Sequence, residues 1–375
     1  MVETEKRLDL GELATFIPNK NTPVYGWFYF KEGYARDLVM LVLDKYTDTI
    51  NSSSTSAKQS VSVLDPFCGT GTTLLACRER GLDSYGFDVS PLGVLASRAK
   101  TNEYDLDELK KAIKEISRTG FEQHPVNDVG RSVRKFFNTH NMEDLLFLRE
   151  VVDGYEGDVR DFLKLGLIVA TEQCSYMHKD GAVLKLRKRK VPMLRRHYFC
   201  ILRKMLRDLR KARFQPCQTF VDQADARSMR IDTEFIDLVV TSPPYLGKDE
   251  YTKIHSIEEH LFFGLPFRKE AKHDFFGLAD GGDGREKAYF RDMERLISEF
   301  RRVCKPGAVV AMVVGDGCFP DRGKVARMAD ELPGIAEKQG FDTEKVTILN
   351  ERWCTRQRVH KIAKMDESLI IMRKR

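Results

Sequence analysis

An apolar run ending in a hydroxyl, two prolines and a phenol ring occupies residues 235–245, FIDLVVTSPPY. Ser242 and the Pro243 carbonyl are two hydrogen-bond acceptors, and together they suit the two hydrogens of an NH2 group. Pro243 and Pro244 stiffen the backbone that carries them, and Tyr245 offers a ring on which a base can stack. Such groups work at the carboxyl end of a parallel sheet, and the β-branched stretch Ile236–Thr241 predicts the strand that delivers them there. Four residues alone would equally make a structural Pro-Pro turn. The strand before them and a Gly-rich turn upstream weigh against it.

That turn is residues 64–73, LDPFCGTGTT. Gly69 and Gly71 let the chain turn sharply and approach a ligand closely, and the helix start that follows supplies unpaired N–H groups. The motif lacks the Gly-Lys-Ser/Thr ending of a phosphate-gripping loop and the full dinucleotide fingerprint. A nucleotide-like cofactor is the functional reading; a tight turn without a ligand is the bland one. Asp88 ends a second short strand about 20 residues on, where a carboxylate meets ribose hydroxyls. Asp225, after the strand candidate Gln218–Val221, is placed to meet an adenine amino group, or is a solvated loop carboxylate.

The order of elements supplies the scaffold. A Ser-rich connector at 51–60 precedes a strand from Val61, a helix over Thr72–Arg80, the strand ending at Asp88 and a helix over Pro91–Lys100. This βαβα opening predicts an α/β fold, doubly wound about a mostly parallel sheet. Residues 101–215 read as successive helices without a strand, a helical insertion. Strands then resume at Gln218–Val221, Ile236–Thr241 and Ala308–Val314, the last after a Lys305-Pro306-Gly307 turn. A helix near Val325–Gln339 follows, and Lys345–Asn350 with Ser368–Met372 suit an antiparallel hairpin at the sheet edge. Residues 1–100 and 216–375 are therefore expected to be two halves of one catalytic α/β domain, with 101–215 inserted.

Over 375 residues, 42% hydrophobic and 31% charged content marks a globular chain and excludes disordered and membrane classes. The amino terminus has no apolar signal region, and the longest apolar stretches, Leu38–Leu43 and Leu165–Ala170, are far short of a bilayer, so a cytoplasmic location is expected. Cys68, Cys77, Cys174, Cys200, Cys217, Cys304, Cys318 and Cys354 include no CxxC pair, and reduced core thiols are expected. Cys174 with His178, and His197 with Cys200, have zinc-ligand types but lie on apolar helices; no metal is expected.

The Gly-rich turn and the SPPY motif together resemble the amino-group DNA methyltransferases, whose cofactor motif has the form D-P-F-x-G-x-G-T and whose catalytic motif is [DNS]-P-P-[YFW]. The resemblance covers residues 11–100 and 216–375, and residues 16–34, FIPNKNTPVYGWFYFKEGY, look like the family's additional cofactor segment. It implies a Rossmann-like, seven-stranded sheet, S-adenosylmethionine as cofactor and a target base flipped out of double-stranded DNA. The implied cofactor contacts are Asn19, Lys20, Tyr29, Asp65, Phe67, Gly69, Thr70, Gly71, Thr72, Asp88 and Asp225. The implied catalytic group is Ser242, Pro243, Pro244 and Tyr245. Serine at 242 is the form most often found in cytosine-N4 enzymes; adenine-N6 and RNA amino transfer are the alternatives. A restriction endonuclease is the candidate companion.

A polyanionic partner has a local counterpart. Net charge is only +6, yet residues 185–213 hold thirteen Lys and Arg against one acid, Asp208. Arg187, Lys188, Arg189, Arg195 and Arg196 are the expected DNA contacts, chiefly to phosphates, while a solvated helix surface is the bland reading. Two decoys are set aside. Pro216-Cys217 has the letters of a cytosine-C5 nucleophile without its Gly-Pro context, and Asp280–Gly284 lacks the alternating carboxylates of a calcium loop. A catalytically inert binding module is a further alternative, and the two intact motifs argue against it.

Overall fold

The computed structural model describes residues 3–53, 61–180, 183–246, 254–267, 284–319, 324–356 and 360–375. Its strands are β1 (Glu3–Lys6), β2 (Ser62–Asp65), β3 (Asp83–Asp88), β4 (Met177–Asp180), β5 (Val183–Leu186), β6 (Thr219–Gln223), β7 (Ile236–Thr241), β8 (Cys304–Gly315), β9 (Gly317–Phe319), β10 (Lys324–Ala326), β11 (Phe341–Arg356) and β12 (His360–Lys374). Eight of them form one sheet in the order β1-β11-β12-β8-β7-β2-β3-β6, parallel throughout except that β12 opposes both neighbours. β4–β5 and β9–β10 are separate hairpins.

The inner strands are buried on both faces, and alternate residues feed two cores. On one face Val63, Val240 and Val313 meet α1 (Arg36–Ser53) and α2 (Thr72–Arg80). On the other Leu64, Val239 and Met312 meet helices that follow β7 and β10. Farther along, α3 (Pro91–Thr101) packs against α7 (Gly157–Gln173), and the same apolar cluster takes in α4 (Leu106–Arg118), α5 (Arg131–Arg134), α6 (Thr139–Asp153) and α8 (Leu194–Lys211). One apolar core runs from Trp27, Phe28 and Leu95 into Phe162, Leu165, Tyr198 and Leu202. The inserted helices thus share a core with the sheet domain. The remaining helices are α9 (Ser256–Phe263), α10 (Gly284–Val303) and α11 (Met328–Lys338).

Five expectations need correction. The sheet has eight strands rather than seven, because β1 adds to β11 in parallel, with Glu3 opposite Lys345 and Lys6 opposite Ile348. Its sequence, ETEK, is short and charged, and carries no apolar alternation. The β11–β12 hairpin therefore lies one strand in from the edge. The insertion contains a hairpin, β4–β5, and the Lys305-Pro306-Gly307 turn lies inside β8, where Gly307 takes φ 78°. Finally, Cys318 and Cys354 lie within disulfide reach, their Cα atoms 6.1 Å apart. Most of the Ser-rich connector and the Asp280–Gly284 run lie outside the described residues. Among the described residues no helix is long and apolar enough to cross a membrane, and no cluster of His, Cys, Asp or Glu is arranged to hold a metal.

Candidate active site

β2 and β7 are parallel neighbours, yet the chain leaves β2 toward β3 on one side and β7 toward β8 on the other. Such a reversal opens a crevice at the carboxyl ends of the strands. A cavity lies there, walled by Asp65–Thr70 and Thr72 of the Gly-rich turn, by Asp88–Ser90 after β3, by Ala224–Arg227 after β6 and by Ser242–Pro244 after β7. Phe30, Glu32, Gly33 and Tyr34 of the amino-terminal segment close another side, with His255 and Glu259 at α9.

The turn is tight because its glycines permit it. Gly69 and Gly71 take φ 50° and 79°, and a Cβ on either would stand 3.1 Å from Phe30 or Ser97. Asp88 pins the turn: its Oδ2 accepts from the Gly69 N–H at 2.9 Å, and its Oδ1 from the Ser90 N–H at 2.8 Å. Burial pushes this carboxyl up to about 6 against the opposing pull of those two donors. Each oxygen retains acceptor capacity for another donor. Asp65, buried at the end of β2, accepts from Tyr34 Oη at 2.9 Å and Thr241 Oγ1 at 2.7 Å, tying the amino-terminal segment and β7 to the turn. Burial raises its carboxyl as well.

The sign of the cavity is informative. Glu32, Asp65, Asp88, Asp225 and Glu259 line it, against the single guanidinium of Arg227. A phosphate would meet repulsion there; a cationic ligand would not. Asp225 is held by Arg227, whose Nε and Nη2 donate to its two oxygens at 2.9 and 2.6 Å. Burial works against ionisation, but these hydrogen bonds win and lower its carboxyl.

Not every residue of the expected set lines the cavity. Asn19 is buried away from it, its Nδ2 donating to the Tyr34 carbonyl at 2.9 Å and its Oδ1 accepting from the Arg36 N–H at 2.8 Å. Lys20 sits 4.5 Å over the Tyr29 ring, and Tyr29 is exposed and packs edge-on against Phe16. The segment does reach the cavity, but through Phe30–Tyr34. Gly71 shapes the turn from behind, against Ser97.

Ser242, Pro243 and Pro244 line the wall formed by β7, while Tyr245 stands beside it. The Tyr245 hydroxyl donates to Glu367 Oε1 at 2.7 Å, and its ring occupies the space a Cβ on Gly315 would need, 2.6 Å from Cδ2 and Cε2. His255 and Glu259 carry no sequence signal, because SIEEHLFF, which holds Glu259 and which His255 precedes as N-cap, has no pattern that separates it from an ordinary core helix. Glu259 accepts from Ser90 Oγ at 2.8 Å, and burial pushes it up to about 7. His255 stacks on Phe30, and burial holds its imidazole well below the usual range, so the ring is neutral.

The basic run divides. Lys179 of β4 reaches Glu258 at 2.8 Å and Glu172 at 3.0 Å, fastening the β4–β5 hairpin to the helix that borders the cavity. Arg187, Lys188 and Arg189, just past β5, are exposed, and so is Arg196. Arg195 is not free in the same way: its guanidinium donates to the Thr119 carbonyl at 2.9 Å and lies 5.4 Å from the Phe147 ring.

No family model matches the chain. It is similar to the Type II methyltransferase M.BsoBI of Geobacillus stearothermophilus, 24% identical over 91% of this chain and 83% of that protein. It is also similar to the Type II methyltransferase M.AvaI of Anabaena variabilis, 23% identical over 66% and 55% of the two chains. M.MjaII of Methanocaldococcus jannaschii, a third Type II methyltransferase, is 27% identical over 53% of this chain and 42% of its own. These similarities bear out the methyltransferase resemblance of the two motifs. Among solved structures, a SAM-dependent methyltransferase of Methanosarcina mazei is 11% identical over 85% of this chain and 94% of that one, with a TM-score of 0.32.

Proposed function

We propose that this chain is an S-adenosylmethionine-dependent DNA methyltransferase that modifies an exocyclic amino group, the N4 of cytosine, as the modification partner of a restriction system. One observation carries the reading: Ser242–Pro244 and the Gly-rich turn with Asp88 open on the same cavity, at the sheet's switch point. The residues fit the cofactor. The carboxylate-lined wall suits a sulfonium and an ammonium group, Asp88 accepts from the ribose hydroxyls, and Phe67 and Val89 offer apolar surface to a purine.

When bound, S-adenosylmethionine supplies an electrophilic methyl group. The chain's own residues hold the acceptor. Ser242 Oγ and the Pro243 carbonyl accept the two amino hydrogens, which turns the nitrogen lone pair out of conjugation with the ring and toward the cofactor side of the cavity. Tyr245 stacks on the base, which has left the duplex because its amino group is otherwise out of reach. Arg187, Lys188, Arg189 and Arg196 neutralise phosphates of the surrounding duplex, and Arg195 braces the start of α8, the helix that carries Arg196.

The test is methyl transfer from labelled cofactor to DNA, followed by digestion to nucleosides and mass spectrometry. N4-methylcytosine is expected. N6-methyladenine would keep the class and change the acceptor, whereas C5-methylcytosine, or transfer to RNA alone, would overturn the proposal. Ser242→Ala should lower turnover with cofactor affinity nearly unchanged, and Tyr245→Ala should forfeit ~1–3 kcal/mol of stacking. Wild-type turnover in either variant would remove SPPY from the chemistry.

A further inference from the structure

Tyr245 is anchored from outside its own motif. Its hydroxyl donates to Glu367 Oε1 at 2.7 Å, on β12, two strands away from β7. Glu367 is only 3% exposed, and a carboxylate so buried needs compensation. Arg352 on β11 provides it, donating from Nη2 to Oε2 at 2.6 Å, and Asn350 approaches the same oxygen at 3.5 Å. Between the two strands, β8 contributes a space instead of a group: a Cβ on Gly315 would fall 2.6 Å from the ring, and Gly315 lies opposite Glu367 in the register. The ring is thus held at its Cα by Pro243-Pro244, at its edge by bare backbone and at its hydroxyl by a buried, charge-compensated acceptor.

Stacking needs no phenol hydroxyl, since a plain ring has the same π-face. A hydroxyl tied to a buried carboxylate instead fixes the ring's orientation, and a stacking platform held in one orientation places the base amino group at a constant distance from Ser242 and Pro243. We infer that Glu367, fastened by Arg352, is a positioning residue that acts through the Tyr245 hydroxyl to set the attitude of the flipped base. The inference rests on the proposed function, in which Tyr245 stacks on that base.

The experiment compares wild type, Tyr245→Phe, Glu367→Gln and the double variant. Each is assayed for methyl transfer to DNA, cofactor affinity, and the fluorescence of 2-aminopurine placed at the target position. The wild-type arm tests the reading beneath: absence of transfer to DNA there would sink the proposed function before the variants are compared. With that arm positive, each single variant should lose about tenfold in kcat, equivalent to ~1.4 kcal/mol, with KM for DNA and cofactor affinity changed less than about twofold. The 2-aminopurine emission should shift from the wild-type value in both. The double variant should be no worse than the worse single one, because both act on the same charge-assisted hydrogen bond, Tyr245→Phe removing its donor and Glu367→Gln the charge on its acceptor. Wild-type kcat in Tyr245→Phe, or losses that multiply in the double variant, would overturn the inference and leave Glu367 as a fold residue only.

Discussion

At the scale of single residues, Asp88 carries two duties that pull on its proton. It closes the Gly-rich turn by accepting from Gly69, and it is the group proposed to meet the ribose. A ribose hydroxyl donates, so the ionised carboxylate is the binding form, and a carboxyl pushed up to about 6 begins to lose that form in mildly acid solution. The proton and the cofactor then compete: affinity should weaken below about 6, toward tenfold per pH unit. Asp88→Asn should abolish this acid limb and cost ~1.5–3 kcal/mol of binding at neutral pH. Glu259, pushed up to about 7, sets the control, because Glu259→Gln should leave the limb below 6 in place. Calorimetry across a pH series decides it; an acid limb that survives in Asp88→Asn would assign the titration elsewhere.

Elements explain which parts of this arrangement could be read in advance. A turn is recognisable when its glycines are obligatory, and Gly71 is such a case, at φ 79° with Ser97 3.1 Å from any added Cβ. Gly264 has φ 69° but open space around it. Gly71→Ala should therefore lose both conformational and packing energy, ~1–2 kcal/mol for the first alone, together with cofactor affinity, whereas Gly264→Ala should lose only the conformational part. Equal denaturation midpoints for the two would mean the turn has room to relax. The strands that deliver SPPY and the turn were legible for a related reason: buried parallel strands are continuous apolar runs bounded by turn residues. β1 was not, because four charged or polar residues become a strand only when β11, more than 300 positions later, offers its edge. Asn19 misled through the same blindness to tertiary context. A polar residue in a cofactor segment suggests a ligand contact, but its amide is spent on the backbone of Tyr34 and Arg36. Glu259 reaches the cavity on a helix, and His255 from its N-cap, where the local pattern speaks only of burial.

For the whole molecule, the insertion orders the basic run relative to the cavity. The β4–β5 hairpin is bonded through Lys179 to Glu258, next to the cavity residues His255 and Glu259, and the exposed Arg187–Arg189 stretch follows directly from this hairpin docked beside the cavity. α8 then runs 18 residues, ~27 Å at 1.5 Å per residue, with Leu194, Tyr198, Leu202 and Met205 facing the core. It hands the chain to β6 at Thr219, and Gln215 donates to the Arg78 carbonyl at the far end of α2, so Arg207, Arg210 and Lys211 sit toward the amino end of the sheet. Charge alone would assign both clusters to DNA; position separates them. On the proposed function, a duplex delivering a base to Ser242 would meet the first cluster and leave the second, exposed on α8, in solvent. Replacing Arg187, Lys188 and Arg189 by Ala should weaken binding to every DNA sequence and shrink the log–log salt slope by ~0.9 for each phosphate no longer neutralised. The same replacement at Arg207, Arg210 and Lys211 should leave that slope at its wild-type value. Affinity measured across a salt series, with cofactor binding as the check on folding, distinguishes the two. A slope that falls only in the second variant would put the duplex along α8 and detach the hairpin from it.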